Sequence, residues 1–177
     1  PVREYEPFLQ LLVTIGDRPL LGILAGALFT AVVQSSSATT GLVIAFSWQG
    51  IVSLPAGLAL IAGANLGTCI TVVLASLNAP ITAKRVALSH VLFNLSGVLL
   101  FVIFRRPFMN LVFATGTTVA RQIANAHTFF NVLTTVILFP LLPRFVRLVS
   151  SIVPGDDSEL EAKPKFLDER LIDTPGA

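Results

Sequence analysis

Acidic side chains are almost missing from this chain. None lies between Asp17 and Asp156, and seven of the ten acidic residues fall within the last 22 positions. Residues 19–83 carry no charge of either sign. The single cysteine, Cys69, excludes a framework of disulfides within the chain. Without carboxylates, this core cannot perform paired-carboxylate catalysis or hold a carboxylate metal site, so we do not expect an enzyme.

The residues that are present are strongly apolar. Hydrophobic residues make up 54% of the chain and charged residues only 12%, with a mean hydropathy of +0.81. Soluble domains carry about 25% charged residues. The net charge of +2 is too small to indicate nucleic-acid binding. An uncharged core of this length predicts an all-α integral membrane protein.

Basic residues mark the ends of two apolar runs of membrane length. Val86–Phe104 and Gln122–Pro143 are close to the roughly 20 residues that a spanning helix needs. Pro107–Ala120 is too short to span and is expected at an interface. The basic residues divide almost evenly between the two ends of these runs, so the positive-inside rule does not fix the orientation.

The uncharged stretch before them contains shorter apolar arms. Leu20–Val33 and Ala38–Trp48 meet at a polar turn, which predicts a re-entrant helical hairpin. Ile51–Ala62 and Cys69–Leu77 flank a glycine-rich break, which predicts one discontinuous helix. Such backbone is tolerated at membrane depth only inside protein or facing water, and it is typical of transporter binding sites.

The polar segment Gln34–Thr40 joins the first two arms. Six of its seven side chains can form hydrogen bonds. A half-helix beginning near Ser37 or Ala38 would present free N–H groups to an oxyanion. Hydroxyl and amide oxygens would suit sodium. The alternative is ordinary helix–helix packing, in which serine and threonine are common.

The second polar segment is Gly63–Thr68. Gly63 and Gly67 would permit an unwound backbone, Asn65 would supply an amide, and Thr68 would cap the following half-helix. The alternative is a close-packing motif, because the two glycines are four residues apart.

A repeated phrase, His-x-x-Phe-Asn, begins at His90 and at His127. In each copy histidine and asparagine share one helix face. Metal binding by the two histidines is disfavoured, because the core offers no acidic residue to complete a coordination shell. We expect these faces to support the broken helices by hydrogen bonds.

Taken together, these motifs resemble the type II sodium–phosphate cotransporter family. The phrase Gly26–Ala38, with Gln-Ser-Ser-Ser at Gln34–Ser37, is similar to the family signature, and Gly63–Thr68 is similar to its second motif. Arg85–Asn94 resembles the helix that follows. The resemblance covers residues 19–143.

The resemblance implies cotransport of sodium and inorganic phosphate by alternating access, with sodium as coupling ion and no other cofactor. The implied sodium ligands lie in Gln34–Ser37. The implied residues of the substrate and sodium site are Gln34, Ser35, Ser36, Ser37, Thr39, Thr40, Asn65 and Thr68. Gly63 and Gly67 would form the unwound backbone, and the implied supporting residues are Thr71, His90, Asn94, His127 and Asn131.

The family carries two such repeats in inverted orientation, and this chain resembles the second. The resemblance therefore implies one half of a transporter, whose partner is the other repeat, in a bacterial inner membrane. Residues 1–18 would be a connecting segment, residues 19–150 the repeat, and residues 151–177 a cytoplasmic linker to a PhoU-like domain. Two alternatives remain: cotransport of arsenate, sulfate or a dicarboxylate, or a membrane-anchored regulatory protein that responds to phosphate.

Overall fold

The computed structural model describes residues 6–155, and these are almost entirely helical. Three of the helical stretches are long and apolar enough to cross a membrane: Leu54–Ser76, Ile81–Ile103 and Val119–Ile152. In chain order the α-helices are α1 (Glu6–Asp17), α2 (Pro19–Val33), α3 (Ser36–Trp48), α4 (Leu54–Gly67), α5 (Cys69–Ser76), α6 (Ile81–Ile103), α7 (Arg105–Phe113), α8 (Val119–Leu138) and α9 (Leu142–Ile152). The predicted linker towards a PhoU-like domain, residues 151–177, begins within α9 and lies outside the described residues from residue 156 onwards.

Helix α4 is the centre of the fold. Eleven of its fourteen residues are buried, and it packs against α1, α2, α3, α6 and α8. Because many of its residues are small, the five neighbouring helices can pack close to the axis of α4. Residues 6–17, which we expect to lie in a connecting segment, form α1 and add Leu12 and Ile15 to the core.

Helices α2 and α4 are in backbone contact. A Cβ atom added at Gly63 would overlap the Ile23 carbonyl oxygen, and one at Gly26 would overlap the Leu60 carbonyl oxygen. Gly67 likewise faces the Ala27 carbonyl. This is the close packing that small residues four apart permit in membranes.

The expected unwound segment is therefore wrong at Gly63 and Gly67. Both residues belong to helix α4, and neither has a positive φ. The helix is interrupted at one residue, Thr68, which keeps a right-handed backbone (φ −64°, ψ −18°). The glycines are needed for the contact with α2 and not for conformational freedom.

Helices α2 and α3 form a hairpin joined by Gln34 and Ser35. The arms of 15 and 13 residues extend roughly 22 and 20 Å, which is shorter than a hydrocarbon core of about 30 Å. Gln34 has a left-handed backbone (φ 59°, ψ 23°) and is the only non-glycine residue with a positive φ in residues 6–155. That conformation reverses the chain direction between the arms.

The two long runs differ from expectation mainly at their ends. The run Val86–Phe104 falls almost entirely within α6, which begins five residues earlier at Ile81. The run Gln122–Pro143 spans α8, a short 3-10 turn at Phe139–Leu141 and the start of α9. Pro140 lacks the N–H that an α-helix requires, which accounts for the turn.

A first prediction concerns the contact between α2 and α4. Gly63→Ala should destabilise the full-length protein by about 1–3 kcal/mol, because the added Cβ meets the Ile23 carbonyl. The measurement is the thermal unfolding midpoint of the detergent-solubilised protein. Gly41→Ala is the matched control: no atom lies within 4 Å of an added Cβ there, and alanine favours a helix by up to about 1 kcal/mol. Equal midpoints for both variants would contradict the packing role.

Candidate functional site

The turn at Gln34 and Ser35 ends α2 and starts α3. The Gln34 backbone N–H donates to the Thr30 carbonyl oxygen (2.6 Å), which closes α2. The Ser35 side-chain oxygen accepts from the Ala38 backbone N–H (3.2 Å) and caps α3. Helix α3 thus begins at Ser36, slightly earlier than expected. The polar sequence makes this turn because Ser35 can satisfy a helix N–H that lacks a partner.

The N-terminus of α3 presents a set of polar groups to the surface of the chain. The N–H groups of Ser36 and Ser37 have no carbonyl one turn earlier to receive them. Gln34 and Ser37 are exposed, and Ser35 and Ser36 are half-buried. A helix N-terminus carries roughly half a positive charge, so these groups can bind an anion without lysine or arginine.

A threonine pair joins the two arms just below the turn. The hydroxyls of Thr30 and Thr39 lie 2.8 Å apart, and both residues are buried. The Thr39 hydroxyl also donates to the Ser35 carbonyl oxygen (3.1 Å). With its one hydrogen used there, Thr39 accepts from Thr30. Sequence reasoning missed Thr30, because a single threonine within an apolar arm is unremarkable.

Thr30 also connects the two predicted motifs. A Cβ added at Gly67 would lie 2.7 Å from the Thr30 Cβ. The end of α4, with Asn65 and Gly67, therefore adjoins the end of α2 beside the Gln34 turn. The contact joins Thr30 and Gly67, which are 37 positions apart in the sequence.

Thr40 differs from the other buried polar residues. It is 5% exposed, and its hydroxyl is the only buried side-chain nitrogen or oxygen in residues 6–155 without a hydrogen bond. An unsatisfied buried hydroxyl costs about 1–3 kcal/mol. A small polar occupant beside it would recover that free energy.

Asn65 and Thr68 bond within their own helix. The Asn65 side-chain nitrogen donates to the Ile61 carbonyl oxygen (3.1 Å), and Asn65 is buried. The Thr68 hydroxyl donates back to the Asn65 carbonyl oxygen (2.7 Å) and makes no cap for α5. The expectation that Thr68 caps the second half-helix is therefore wrong, because its side chain bonds backwards along α4 and its backbone is helical, whereas a capping residue normally has an extended backbone.

The two His-x-x-Phe-Asn phrases have the same local geometry. The Asn94 amide donates to the His90 carbonyl oxygen (3.0 Å), and the Asn131 amide donates to the His127 carbonyl oxygen (2.8 Å). The bond that reaches another helix joins the Cys69 thiol to the His90 carbonyl oxygen (3.8 Å). This contact ties α6 to the start of α5, whereas Thr71 is exposed.

Metal-ligating residues do not gather anywhere in the part of the chain that the structure describes. No three of histidine, cysteine, aspartate and glutamate there could hold one ion.

The sequence of the chain is similar to those of known proteins. The family model described as Na+/Pi-cotransporter matches residues 5–137. "Uncharacterized protein YqeW" of Bacillus subtilis is 32% identical over 155 residues, which are 88% of this chain and 50% of that protein. No solved structure matches the chain.

Two further relatives have names that mention phosphate. "Putative inorganic phosphate export protein YjbB" of Salmonella typhimurium is 34% identical over 158 residues, 88% of this chain and 29% of its own. "Sodium-dependent phosphate transport protein 2C" of Homo sapiens is 43% identical over 84 residues, 45% of this chain and 14% of its own. The chain thus spans half the length of the Bacillus relative and less of the others.

A second prediction tests the threonine pair. Thr39→Val should destabilise the full-length protein by about 1–3 kcal/mol, because it leaves the buried Thr30 hydroxyl without an acceptor. The double variant Thr30→Val/Thr39→Val should be more stable than Thr39→Val alone, since both polar partners are then removed. The readout is the thermal unfolding midpoint in detergent.

Thr135→Val is the matched control for this pair. Thr135 is exposed, and its hydroxyl donates to the Asn131 carbonyl of its own helix (2.8 Å). We expect little change there. If the loss of stability in the double variant equals the sum of the losses in the two single variants, the two threonines are not coupled.

Proposed function

The chain belongs to the Na+/Pi-cotransporter family, and on that basis we propose that it forms one half of a transporter that moves inorganic phosphate together with sodium. Its long apolar helices and its relatives make it an integral membrane protein. The observation that carries the proposal is the serine-rich N-terminus of α3, held by the Thr30–Thr39 pair beside the end of α4.

Phosphate would bind at the start of α3. The N–H groups of Ser36 and Ser37, the serine hydroxyls and the Gln34 amide would act as its hydrogen-bond donors. Phosphate oxygens accept such bonds, and the helix dipole favours their negative charge. Charged side chains are missing from residues 19–83, so recognition would rest on helix ends and hydroxyls.

Sodium would bind to oxygen atoms of the same region. Gln34–Ser37 supply an amide oxygen and hydroxyls, and Thr39 and Thr40 lie one turn further along α3. Because Thr40 has no hydrogen-bond partner, its oxygen can serve as a ligand without breaking an existing bond. Asn65 and Thr68 would contribute from the end of α4. A neutral oxygen cage is typical of coupling-ion sites in transporters.

The hairpin of α2 and α3 would be re-entrant, entering and leaving the membrane on one side. Its arms are too short to cross, and the left-handed Gln34 returns the chain towards its starting side. Polar turn atoms at membrane depth require protein or water around them. The second repeat, absent from this chain, would cover the exposed Gln34 and Ser37 and complete the site.

Alternating access of the two repeats would then expose this site to either side in turn. Sodium moving down a membrane potential releases about 2.3 kcal/mol per charge at 100 mV. In a bacterial inner membrane, with the linker of residues 151–177 in the cytoplasm, this free energy would drive phosphate across. The alternative cargo is another oxyanion, such as arsenate, sulfate or a dicarboxylate, because no arginine selects the anion's shape.

A third prediction follows for transport by the full-length protein in liposomes. Labelled phosphate should be taken up under an inward sodium gradient and much less under an equal potassium gradient. Ser36→Ala should lower the rate constant for phosphate roughly tenfold or more, the cost of losing a hydrogen bond to a charged group. Ser53→Ala is the matched serine control, since Ser53 is exposed at the start of α4 and makes no side-chain cap.

Two results would contradict the proposal. Equal uptake with sodium and with potassium would show that transport is not coupled to sodium. Wild-type kinetics in both Ser36→Ala and Gln34→Ala would show that these residues are not part of the site. Competition of phosphate uptake by arsenate and by sulfate decides between phosphate and the alternative oxyanions. Stronger competition than by unlabelled phosphate would favour the alternative cargo.

A further inference from the structure

An apolar groove runs between α6, α7 and α8. Its volume is about 260 Å³, and its walls include Phe101, Phe104 and Phe108. Phe101 and Phe108 meet edge to face, with ring centroids 5.7 Å apart, so the wall has a defined shape. The volume is below the roughly 300–1,000 Å³ of pockets that hold a whole small ligand. It suits a part of a longer apolar molecule.

The groove is placed as a lipid tail would require. Phe104 and Pro107 line one end of it, where the apolar run of α6 stops and the basic residues begin. Gly97 lines the groove seven residues earlier in α6, about 10 Å deeper at the rise of an α-helix. The groove therefore extends from the boundary of the apolar region into it.

Two arginines stand at this boundary. Arg105 and Arg106 lie in the chain between the lining residues Phe104 and Pro107. A guanidinium nitrogen of Arg105 donates to the Gly16 carbonyl oxygen (3.1 Å). Arg106 is exposed and has no hydrogen bond or ion pair within residues 6–155. Neither arginine forms an ion pair within residues 6–155, although Asp17 directly follows Gly16 in the chain.

The backbone adds to this positive potential. Arg105 and Arg106 are the first two residues of α7, so their N–H groups have no acceptor within the helix. The positive end of the α7 dipole points to the same place. Both the arginine charges and the N-terminus of α7 would favour an anion at the mouth of the groove.

We propose that this groove binds one acyl chain of an anionic phospholipid, with the lipid phosphate at Arg106 and the N-terminus of α7. Charge complementarity selects this occupant: an apolar helix could fill the groove but would leave the arginine unpaired. Basic pockets beside membrane helices bind anionic lipid headgroups in this way. The inference depends on the membrane location of the chain and not on what it transports.

The experiment measures the lipid retained by the full-length protein after purification from nanodiscs that contain equal amounts of dioleoyl phosphatidylglycerol and dioleoyl phosphatidylcholine. Wild type should retain more phosphatidylglycerol. Arg106→Gln should lower its retention about fivefold, the factor for roughly 1 kcal/mol per arginine at an anionic surface. Arg106→Lys should keep most of it. Leu111→Trp, which places a large ring in the groove, should lower retention of both lipids.

Matched controls separate this site from general attraction. Arg144→Gln removes an exposed arginine on α9, and Leu95→Trp enlarges an exposed residue of α6 outside the groove. Neither should change lipid retention. An equal loss in Arg144→Gln and Arg106→Gln would overturn the proposal, as would wild-type retention in Leu111→Trp. The latter result would mean that another protein segment fills the groove.

Discussion

The backbone contact between α2 and α4 is the constraint on which the other helix positions depend. In a bilayer, helices gain little by burying apolar side chains against each other, because lipid tails are equally apolar, and close packing becomes decisive. Gly26 and Gly63 have no Cβ atoms and let the two backbones touch. The contact continues to Gly67, which rests against Thr30. The end of α2, and with it the Gln34 turn, is thereby fixed beside the end of α4.

Polar side chains inside this apolar body are mostly satisfied within their own helix. The amides of Asn65, Asn94 and Asn131 each donate to the carbonyl four residues earlier. These bonds satisfy the polar side chains within their own helices, which is necessary because the bilayer core contains no water to bond them. The Thr30–Thr39 pair is different, since it crosses between helices and defines the geometry of the hairpin.

A candidate ion site without carboxylates fits an apolar body in which polar groups are satisfied without charged side chains. A charged side chain at membrane depth costs several kcal/mol, whereas a helix N-terminus supplies a partial charge that the backbone already carries. The groove at Arg106 follows the opposite pattern, with full charges placed where the apolar run ends. The chain thus keeps its formal charges at the ends of its apolar runs, and only dipoles and uncharged polar groups lie between them in residues 19–83.

Composition and spacing were sufficient to identify a helical membrane protein and the run Val86–Phe104, and they predicted both polar segments of the candidate site. These features follow from local chemistry, because uncharged length and clustered hydroxyls can be recognised in the sequence. The role of Gly63 and Gly67 could not be derived in the same way. Glycine permits both an unwound backbone and a close helix contact, and only the position of α2 distinguishes the two. The same holds for Thr30, whose importance comes from its contacts with Thr39 on α3 and Gly67 on α4, which only the packing of the three helices creates.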